Sequence, residues 1–307
     1  MMRLAERGEV APGLFATGPH PVPIFVAPGE SPVVFDAGIT AFAPIYRDAV
    51  ADLLGESASR AVNLLTHVHW DHCGGASFLR GSFPGLRTGS ARAGIEFLAN
   101  ERHALQVRRL NLVPDVELAF EAFVPELTLH DGQTFRVSRD LTVVVIATPG
   151  HTRDSVSFHL PEIGAVVTGD TLGTPGHDGR ISSEFLADYD AYRRSLERLE
   201  RLRPRVICLG HTWVCSGDDA RAYVGRALRD TDGFRARLER LLVQEEGRRQ
   251  VVFQHVKAAD YDPVPEPKQP EVAYGLNLRA QIATIAGRMR RQMGLTDASR
   301  EAAAPAH

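Results

Sequence analysis

Short apolar runs separated by glycine and proline dominate the first two thirds of the chain. Such runs are typical of buried strands. They predict strands at Leu14–Thr17, Ile24–Ala27, Val33–Phe35, Val62–Thr66, Thr134–Val137, Leu141–Ala147, Ser155–Leu160, Ala165–Thr168 and Val206–Leu209. Apolar residues at helical spacing predict helices at Phe42–Leu54 and at Tyr189–Leu202, the second with Asp188 as its N-cap. Strands that alternate with helices in this order predict an α/β fold.

The remaining third has a different pattern. Residues from about Asp218 to Arg248 are charged with helical spacing, and a proline-rich break follows at Pro263–Pro270. A further helix is predicted at Val272–Met293, and the Ala- and Pro-rich tail from Thr296 is expected to fray. We therefore divide the chain near residue 215, into an α/β domain at 1–215 and a helical C-terminal region at 216–307.

Composition excludes several classes of protein. The 307 residues are 44% hydrophobic and 24% charged, which is ordinary for a globular enzyme, and the net charge of -3 gives no basic face for nucleic acid. No apolar stretch is long enough to span a bilayer, and the N-terminus lacks the apolar core of a signal peptide. The three cysteines (Cys73, Cys208 and Cys215) form no C-x-x-C pair. We expect free thiols and a cytoplasmic location.

A dense group of metal-binding side chains follows the predicted strand Val62–Thr66. His67, His69, Asp71 and His72 fall within six residues, and imidazole and carboxylate groups are common ligands of zinc and related ions. Residues two apart on an extended stretch point the same way, so His67 and His69 can share one ion. Because Asp71 and His72 lie where the chain turns toward a helix, they can face a second ion.

Three further candidate ligands share one context. His151, Asp170 and His211 each follow the end of an apolar strand, and each is preceded by glycine. Because strand ends of a packed sheet meet at one edge, we expect these side chains to converge with the histidine group.

The ordered motifs resemble those of the metallo-β-lactamase superfamily. They are H-x-H-x-D-H followed by G-G, then T-P-G-H-T, T-G-D and G-H. The resemblance covers residues from about 10 to 215. It implies a four-layer αββα sandwich with metal ions at its upper edge, so that residues 1–215 form the catalytic domain and 216–307 a helical extension. That extension is expected to cover the substrate pocket or to form an interface.

The resemblance also implies roles for individual residues. His67, His69 and His151 would bind one ion, Asp71, His72 and His211 would bind the second, and Asp170 would bridge both. Two divalent ions are expected, with zinc favoured and iron or manganese as alternatives. Asp71 would also orient a metal-bridging hydroxide in catalysis. Asp36 matches a motif that supports the ligand loop, although a turn-forming aspartate is an equal interpretation.

The substrate is less narrowly defined by the motifs. The long helical region after His211 resembles the extensions of glyoxalase II and of the acyl-thioesterase relative in bacterial quinolone-signal biosynthesis, which favours a thioester such as an acyl-CoA. A lactonase of the acyl-homoserine lactone type and a mono-iron enzyme similar to persulfide dioxygenase are alternatives. A metal-bound binding or signalling protein of low activity is a third. We expect a small-molecule substrate, neither nucleic acid nor membrane as a partner, and a homodimer if the C-terminal helices form an interface.

Overall fold

The computed structural model describes residues 2–110, 118–176, 178–266 and 268–294. Residues 111–117 and the tail from Thr296, which is expected to fray, lie outside the described residues. The strands found within the described part are β1 Met2–Leu4, β2 Gly8–Ala11, β3 Leu14–Thr17, β4 Ile24–Ala27, β5 Val33–Phe35, β6 Val62–Leu64, β7 Arg87–Ala91, β8 Leu127–Leu129, β9 Thr134–Ser138, β10 Leu141–Ala147, β11 Val156–Leu160, β12 Ala165–Val167, β13 Val206–Cys208 and β14 Trp213–Ser216. The α-helices in the same part are α1 Ala43–Leu54, α2 Trp70–Cys73, α3 Ala76–Ser82, α4 Arg92–Leu98, α5 Glu101–Leu110, α6 Tyr189–Leu202, α7 Asp218–Gln244, α8 Arg249–Asp260 and α9 Glu271–Gln292.

The strands form two mixed sheets. The first has the order β2-β3-β4-β5-β6-β7-β8, and its last four strands run parallel because helical segments connect them. The second has the order β1-β14-β13-β12-β11-β10-β9. Within it, β12 and β13 are parallel and α6 forms the crossover between them. The N-terminal strand β1 pairs with β14, so the first residues complete the second sheet.

The two sheets pack face to face around an apolar core. The rings of Phe35 on β5 and Phe158 on β11 lie 5.3 Å apart between their centroids, one from each sheet. Strand β4 is apolar throughout because both of its faces are buried. Phe25 points into this core, whereas Ile24 and Val26 contact the helices on the outer side of the first sheet.

Helices cover the outer face of each sheet. Helices α1 and α3 pack on the first sheet through residues such as Tyr46, Val50 and Leu79. Helices α6 to α9 share one apolar cluster with the outer face of the second sheet, to which β12 contributes Val166 and α9 contributes Ile282. The four-layer αββα sandwich with a C-terminal helical extension is therefore confirmed.

Most predicted elements lie where the sequence places them. Strands β3, β4, β5 and β10 and helix α6 have the predicted bounds, and the Asp188 carboxylate caps α6 by accepting a 2.7 Å hydrogen bond from the backbone N–H of Ala191. The chain division near residue 215 stays a prediction; helix α7 begins at Asp218 directly after β14. Among the described residues, the helices include none that combines the length and the apolar composition needed to span a bilayer.

Candidate metal centre

Four of the seven predicted ligands lie on the connection that follows β6. The chain leaves Leu64, passes His67 and His69, and enters the single-turn helix α2, which carries Asp71 and His72. His67 and His72 are buried, whereas His69 and Asp71 are partly exposed. The His67 ring centroid lies 4.6 Å from that of His69 and 4.3 Å from that of His72, so the loop gathers three imidazoles at one point.

The other three predicted ligands come from the second sheet. His151 follows β10, Asp170 lies in a 3-10 turn after β12, and His211 follows β13. The ring centroids of His151 and His67 are 4.8 Å apart, and those of His211 and His72 are 5.2 Å apart. The ends of these strands therefore meet the ligand loop at one edge of the sandwich, as the sequence predicts.

The seven side chains separate into two groups. His67, His69, His151 and Asp170 offer ligand atoms within 4.8 Å of one another. In this group Nε2 of His151 lies 3.0 Å from Nδ1 of His69 and 3.4 Å from Oδ2 of Asp170.

The second group contains Asp71, His72 and His211, again within 4.8 Å. Nε2 of His211 lies 3.5 Å from Oδ2 of Asp71. The other oxygen of Asp170, Oδ1, lies 3.3 Å from Nε2 of His72 and 3.4 Å from Nε2 of His211. Asp170 thus directs one carboxylate oxygen to each group.

Hydrogen bonds on the far side of the rings fix which nitrogen faces the centre. The backbone carbonyls of Glu184 and Pro21 can only accept, so they fix Nδ1 of His151 (2.6 Å) and of His211 (2.9 Å) as donors. The Asp36 carboxylate does the same for His72 at 3.0 Å. In each ring the arrangement assigned in this way directs Nε2 toward the other predicted ligands.

His67 and His69 complete the pattern. The Thr66 hydroxyl donates to the Asp36 carboxylate at 2.9 Å, and its oxygen lies 3.1 Å from Nδ1 of His67, which can donate to it. Nε2 of His67 is then the atom available to bind an ion. His69 instead presents Nδ1 to the Nε2 atom of His151.

One structural observation, which is independent of the sequence motifs, indicates that these residues can bind divalent ions. Nε2 of His67, Nε2 of His72 and Oδ1 of Asp170 are buried and lack hydrogen-bond partners among the described residues. Buried polar atoms are normally paired, and leaving three adjacent ones unpaired is costly. Nitrogen and carboxylate oxygen donors that converge in this way are the set that zinc and similar ions bind.

The first group holds its histidines neutral. Burial lowers the pKa of His67 well below its ordinary value, and the adjacent His72 lowers it further. Burial likewise lowers the pKa of His69, and it lowers that of His151 to about 4. Neutral imidazole is the form that binds a metal ion.

In the second group the attraction between Asp170 and the histidines has the opposite effect, because it raises the pKa of His211 and lowers that of Asp170. Burial would raise the pKa of Asp170, but the nearby His211 and His72 hold it well below its usual range. Burial opposes protonation of His211, yet the Asp170 carboxylate raises its pKa to about 9. Asp170 is therefore ionised, and it concentrates negative charge between the two groups of ligands.

Of the two roles that the sequence suggests for Asp36, the structure agrees with support of the ligand loop. Its backbone is left-handed, with φ of 61°, and its side chain is buried. Besides His72, the carboxylate accepts a 2.7 Å hydrogen bond from the backbone N–H of Thr66. It therefore joins the residue before His67 to His72.

Cys73 is buried and directs its thiol away from the ligands, toward the carbonyl of Val68. Cys73 therefore packs as a small core residue.

Two residues at the site were not predicted from the sequence. Asp154 is buried and its Oδ2 accepts a 2.9 Å hydrogen bond from the backbone N–H of Val68, between His67 and His69. Burial raises the pKa of this carboxyl group. Its position shortly after His151 is the one sequence signal that could have suggested a role.

Glu184 is the second such residue, and no sequence signal distinguishes it. Its backbone carbonyl accepts the hydrogen bond from His151. Burial raises the pKa of its side chain to about 7, and the negative charge of Asp170 adds to the effect. The Glu184 carboxyl group is therefore within electrostatic reach of the candidate centre.

Comparison with known families and proteins agrees with this geometry. A family model described as the metallo-beta-lactamase superfamily matches residues 17–211. The structure is similar to that of a metallo-beta-lactamase family protein of Thermus thermophilus, with a TM-score of 0.65, 24% identity, and coverage of 93% of this chain and 95% of that one. At this identity the likeness shows the fold.

Two curated relatives are similar in sequence. An atrochrysone carboxyl ACP thioesterase of Aspergillus fumigatus is 30% identical over 167 residues, covering 54% of this chain and 43% of the relative. A hydroxyacylglutathione hydrolase of Cereibacter sphaeroides is 33% identical over 154 residues, covering 50% of this chain and 49% of the relative. The matches therefore span about half the length of these relatives.

Proposed function

Because this chain belongs to the metallo-β-lactamase superfamily, we propose that it is a dinuclear metal-dependent hydrolase that acts on thioesters. The single observation that carries the two-ion proposal is the placement of Asp170. Its Oδ2 lies 3.4 Å from His151 in one group of ligands, and its Oδ1 lies 3.4 Å from His211 in the other. A carboxylate shared in this way suits two ions held side by side.

The proposed ligands follow the two groups. His67, His69 and His151 would hold one ion, a second set consisting of Asp71, His72 and His211 would hold the other, and Asp170 would contact both. We propose zinc as the metal because five imidazoles and two carboxylates form the ligand set. Bound divalent ions lower the pKa of water and polarise a carbonyl group, which is the chemistry that ester and thioester hydrolysis requires.

The protein supplies orientation and charge. The Asp71 side chain is mostly buried and lies beside His211, where a carboxylate oxygen can accept a hydrogen bond from the attacking water and orient it. The carbonyl of Glu184 and the carboxylate of Asp36 hold the rings of His151 and His72 in place. Ligands held in this way need little rearrangement during the reaction.

The names of the relatives favour a thioester over other substrates. One is an ACP thioesterase and the other a hydroxyacylglutathione hydrolase, and an acylglutathione is itself a thioester. A thiol has a pKa of about 8.5, so it leaves as thiolate without a strong need for proton donation. The proposed partner is accordingly a small-molecule thioester. The three cysteines are buried and none is joined to another by a disulfide, which fits a reducing cytoplasm, the location we propose.

A substrate panel tests the proposal. Purified zinc-loaded protein would be assayed with acyl-CoA and acylglutathione thioesters, an acyl-homoserine lactone, a phosphodiester and a cephalosporin, with His69→Ala as the inactive control. We expect thioester turnover at a kcat/KM well above that for the other substrates, and metal analysis by mass spectrometry should give two ions per chain.

Other outcomes would contradict the proposal in distinct ways. Lactone turnover far above thioester turnover would make the protein a lactonase. One iron per chain with oxygen uptake in the presence of a persulfide would indicate a dioxygenase. Two bound ions without turnover of any substrate would favour a binding protein.

A further inference from the structure

The segment 183–187, named here the strap, lies beside the candidate centre between the Asp170 turn and helix α6. It contacts His151 and the preceding Gly150 through three hydrogen bonds. Besides the hydrogen bond from the imidazole to the Glu184 carbonyl, the backbone N–H of Ala187 donates to the carbonyls of Gly150 (3.0 Å) and His151 (3.1 Å). Because both the ring and the backbone of His151 bind the strap, the position of the strap sets the direction of the His151 Nε2 atom.

Helix α9 holds the strap from its other side. The side-chain amide of Gln281 donates to the carbonyl of Ser183, and the Thr284 hydroxyl donates to the carbonyl of Leu186 at 2.7 Å. The Asn277 amide lies 3.5 Å from the Glu184 carboxylate. Positions 277, 281 and 284 share one face of a helix, so α9 presents a polar row to the strap.

This row is separate from the packing face of α9. Leu278, Ile282 and Ile285 are buried in the apolar cluster that joins α9 to α6, α7 and α8. Gln281, by contrast, is a polar side chain only 7% exposed. Apolar packing alone would dock the helix, whereas the bonds of Gln281 and Thr284 fix the strap carbonyls on either side of Glu184.

We propose that Gln281 and Thr284 are positioning residues for the metal centre, acting through the strap on His151. The C-terminal helical region would then do more than cover a pocket, because its last helix completes the support of a ligand from the opposite end of the chain. This inference rests on the proposed binding of ions by His151. It predicts an effect on ion affinity that substrate recognition by the same helices would not produce.

Three variants of α9 test the positioning role. Thr284→Val and Gln281→Met keep the shape of the side chain but remove the hydroxyl or amide donor, whereas Thr284→Ser keeps the hydroxyl. Loss of a group that supports a metal ligand typically weakens ion binding by about 10- to 100-fold. Because Gln281 and Thr284 act on His151 only through the strap, we expect the lower end of this range, a ~10-fold weaker zinc affinity for Thr284→Val and Gln281→Met, and wild-type affinity for Thr284→Ser.

Arg288→Met is the matched control for helix stability. Arg288 lies one turn beyond Thr284 but bonds Asp190 of α6 at 3.0 Å and Glu239 of α7 at 2.9 Å, with no hydrogen bond to the strap. Its loss should lower the melting temperature without changing zinc affinity. Affinity would be measured by competition with a chromophoric chelator, and the visible absorption of cobalt-substituted protein would report any change in ligand geometry.

The outcomes separate this inference from the proposed function. Wild-type zinc affinity and an unchanged cobalt spectrum in Thr284→Val and Gln281→Met would overturn the positioning role while leaving the hydrolase proposal intact. An equal loss of affinity in Arg288→Met would also overturn it, because the effect would then be general loosening of α9. Wild-type protein that binds no zinc would overturn the proposed function, and the inference with it.

Discussion

Nδ1 of His72 lies 3.0 Å from Oδ2 of Asp36, which comes from a turn at the end of β5, 36 residues earlier in the chain. The same carboxylate holds the backbone N–H and the hydroxyl of Thr66. One buried side chain therefore sets the tautomer of His72 and the course of the loop that delivers His67. The left-handed backbone at Asp36 is a conformation that aspartate and asparagine tolerate better than most residues.

This relationship predicts the behaviour of Asp36→Asn. Asparagine keeps an oxygen for Thr66 and tolerates the backbone angle, but its amide would donate to Nδ1 of His72 and so place the ring proton on Nε2, the proposed ligand atom. We expect a normal fold and a roughly 10- to 100-fold weaker affinity for the ion of the second group. Chelator competition measures this, with the exposed Asp52→Asn as the control. Two ions bound at wild-type affinity would show that the Asp36 charge does not act on His72.

Much of the fold could be predicted from the sequence because its strands are apolar and are bounded by glycine or proline. Strand β10 gives the strongest signal, since it is apolar over most of its length. Strand β7 gives none, because its central residues Thr88 and Ser90 are polar although both are fully buried. Parallel pairing with β6 makes it a strand, and that pairing is a tertiary event.

In the candidate site, too, residues that follow a sequence pattern could be predicted, whereas residues brought in by tertiary packing could not. The candidate ligands could be predicted because five imidazoles and two carboxylates in ordered motifs at strand ends form a pattern that is typical of a metal site. The partners that orient them were less predictable. Glu184 acts through a backbone carbonyl, which every residue possesses. Asp154 acts on the N–H of Val68, 86 residues away in sequence, and only the packing of the two sheets brings them together.

The two groups of ligands predict that single substitutions affect the two ions unequally. His69 belongs to the first group and His211 to the second, so each alanine variant removes one proposed ligand of a different ion. We expect His69→Ala and His211→Ala each to retain about one ion per chain by mass spectrometry and to lose thioesterase activity by about a thousandfold, since in the proposed mechanism both ions hold the nucleophile and stabilise the oxyanion. Loss of both ions in either variant would mean that the groups do not load independently.

Asp154 should matter to folding as well as to ion binding. Asp154→Leu has a similar shape but leaves the buried N–H of Val68 without an acceptor, which costs about 1–3 kcal/mol. We expect a lower free energy of unfolding for the metal-free protein, measured by urea denaturation, and weaker zinc binding because Val68 separates two ligands. Asp154→Asn retains an acceptor oxygen and should recover most of the stability. Equal stability of Asp154→Leu and wild type would show that water or another group satisfies this N–H.

Gly210, the residue before His211, should be required because a larger side chain has no room there, and not because of its backbone conformation. A Cβ atom at Gly210 would lie 2.5 Å from Oδ1 of Asp170 and 2.8 Å from the carbonyl carbon of Gly169, which is backbone and cannot rotate away. In Gly210→Ala the Asp170 carboxylate must move, so both groups would lose the ligand that we propose they share, and we expect fewer than one ion per chain by mass spectrometry. Gly81 in α3 provides the control, because a Cβ atom added there would have no other atom within 4 Å. Gly81→Ala should raise the free energy of unfolding by up to about 1 kcal/mol and retain two ions. Full ion loading of Gly210→Ala would mean that Asp170 is not held between the two groups.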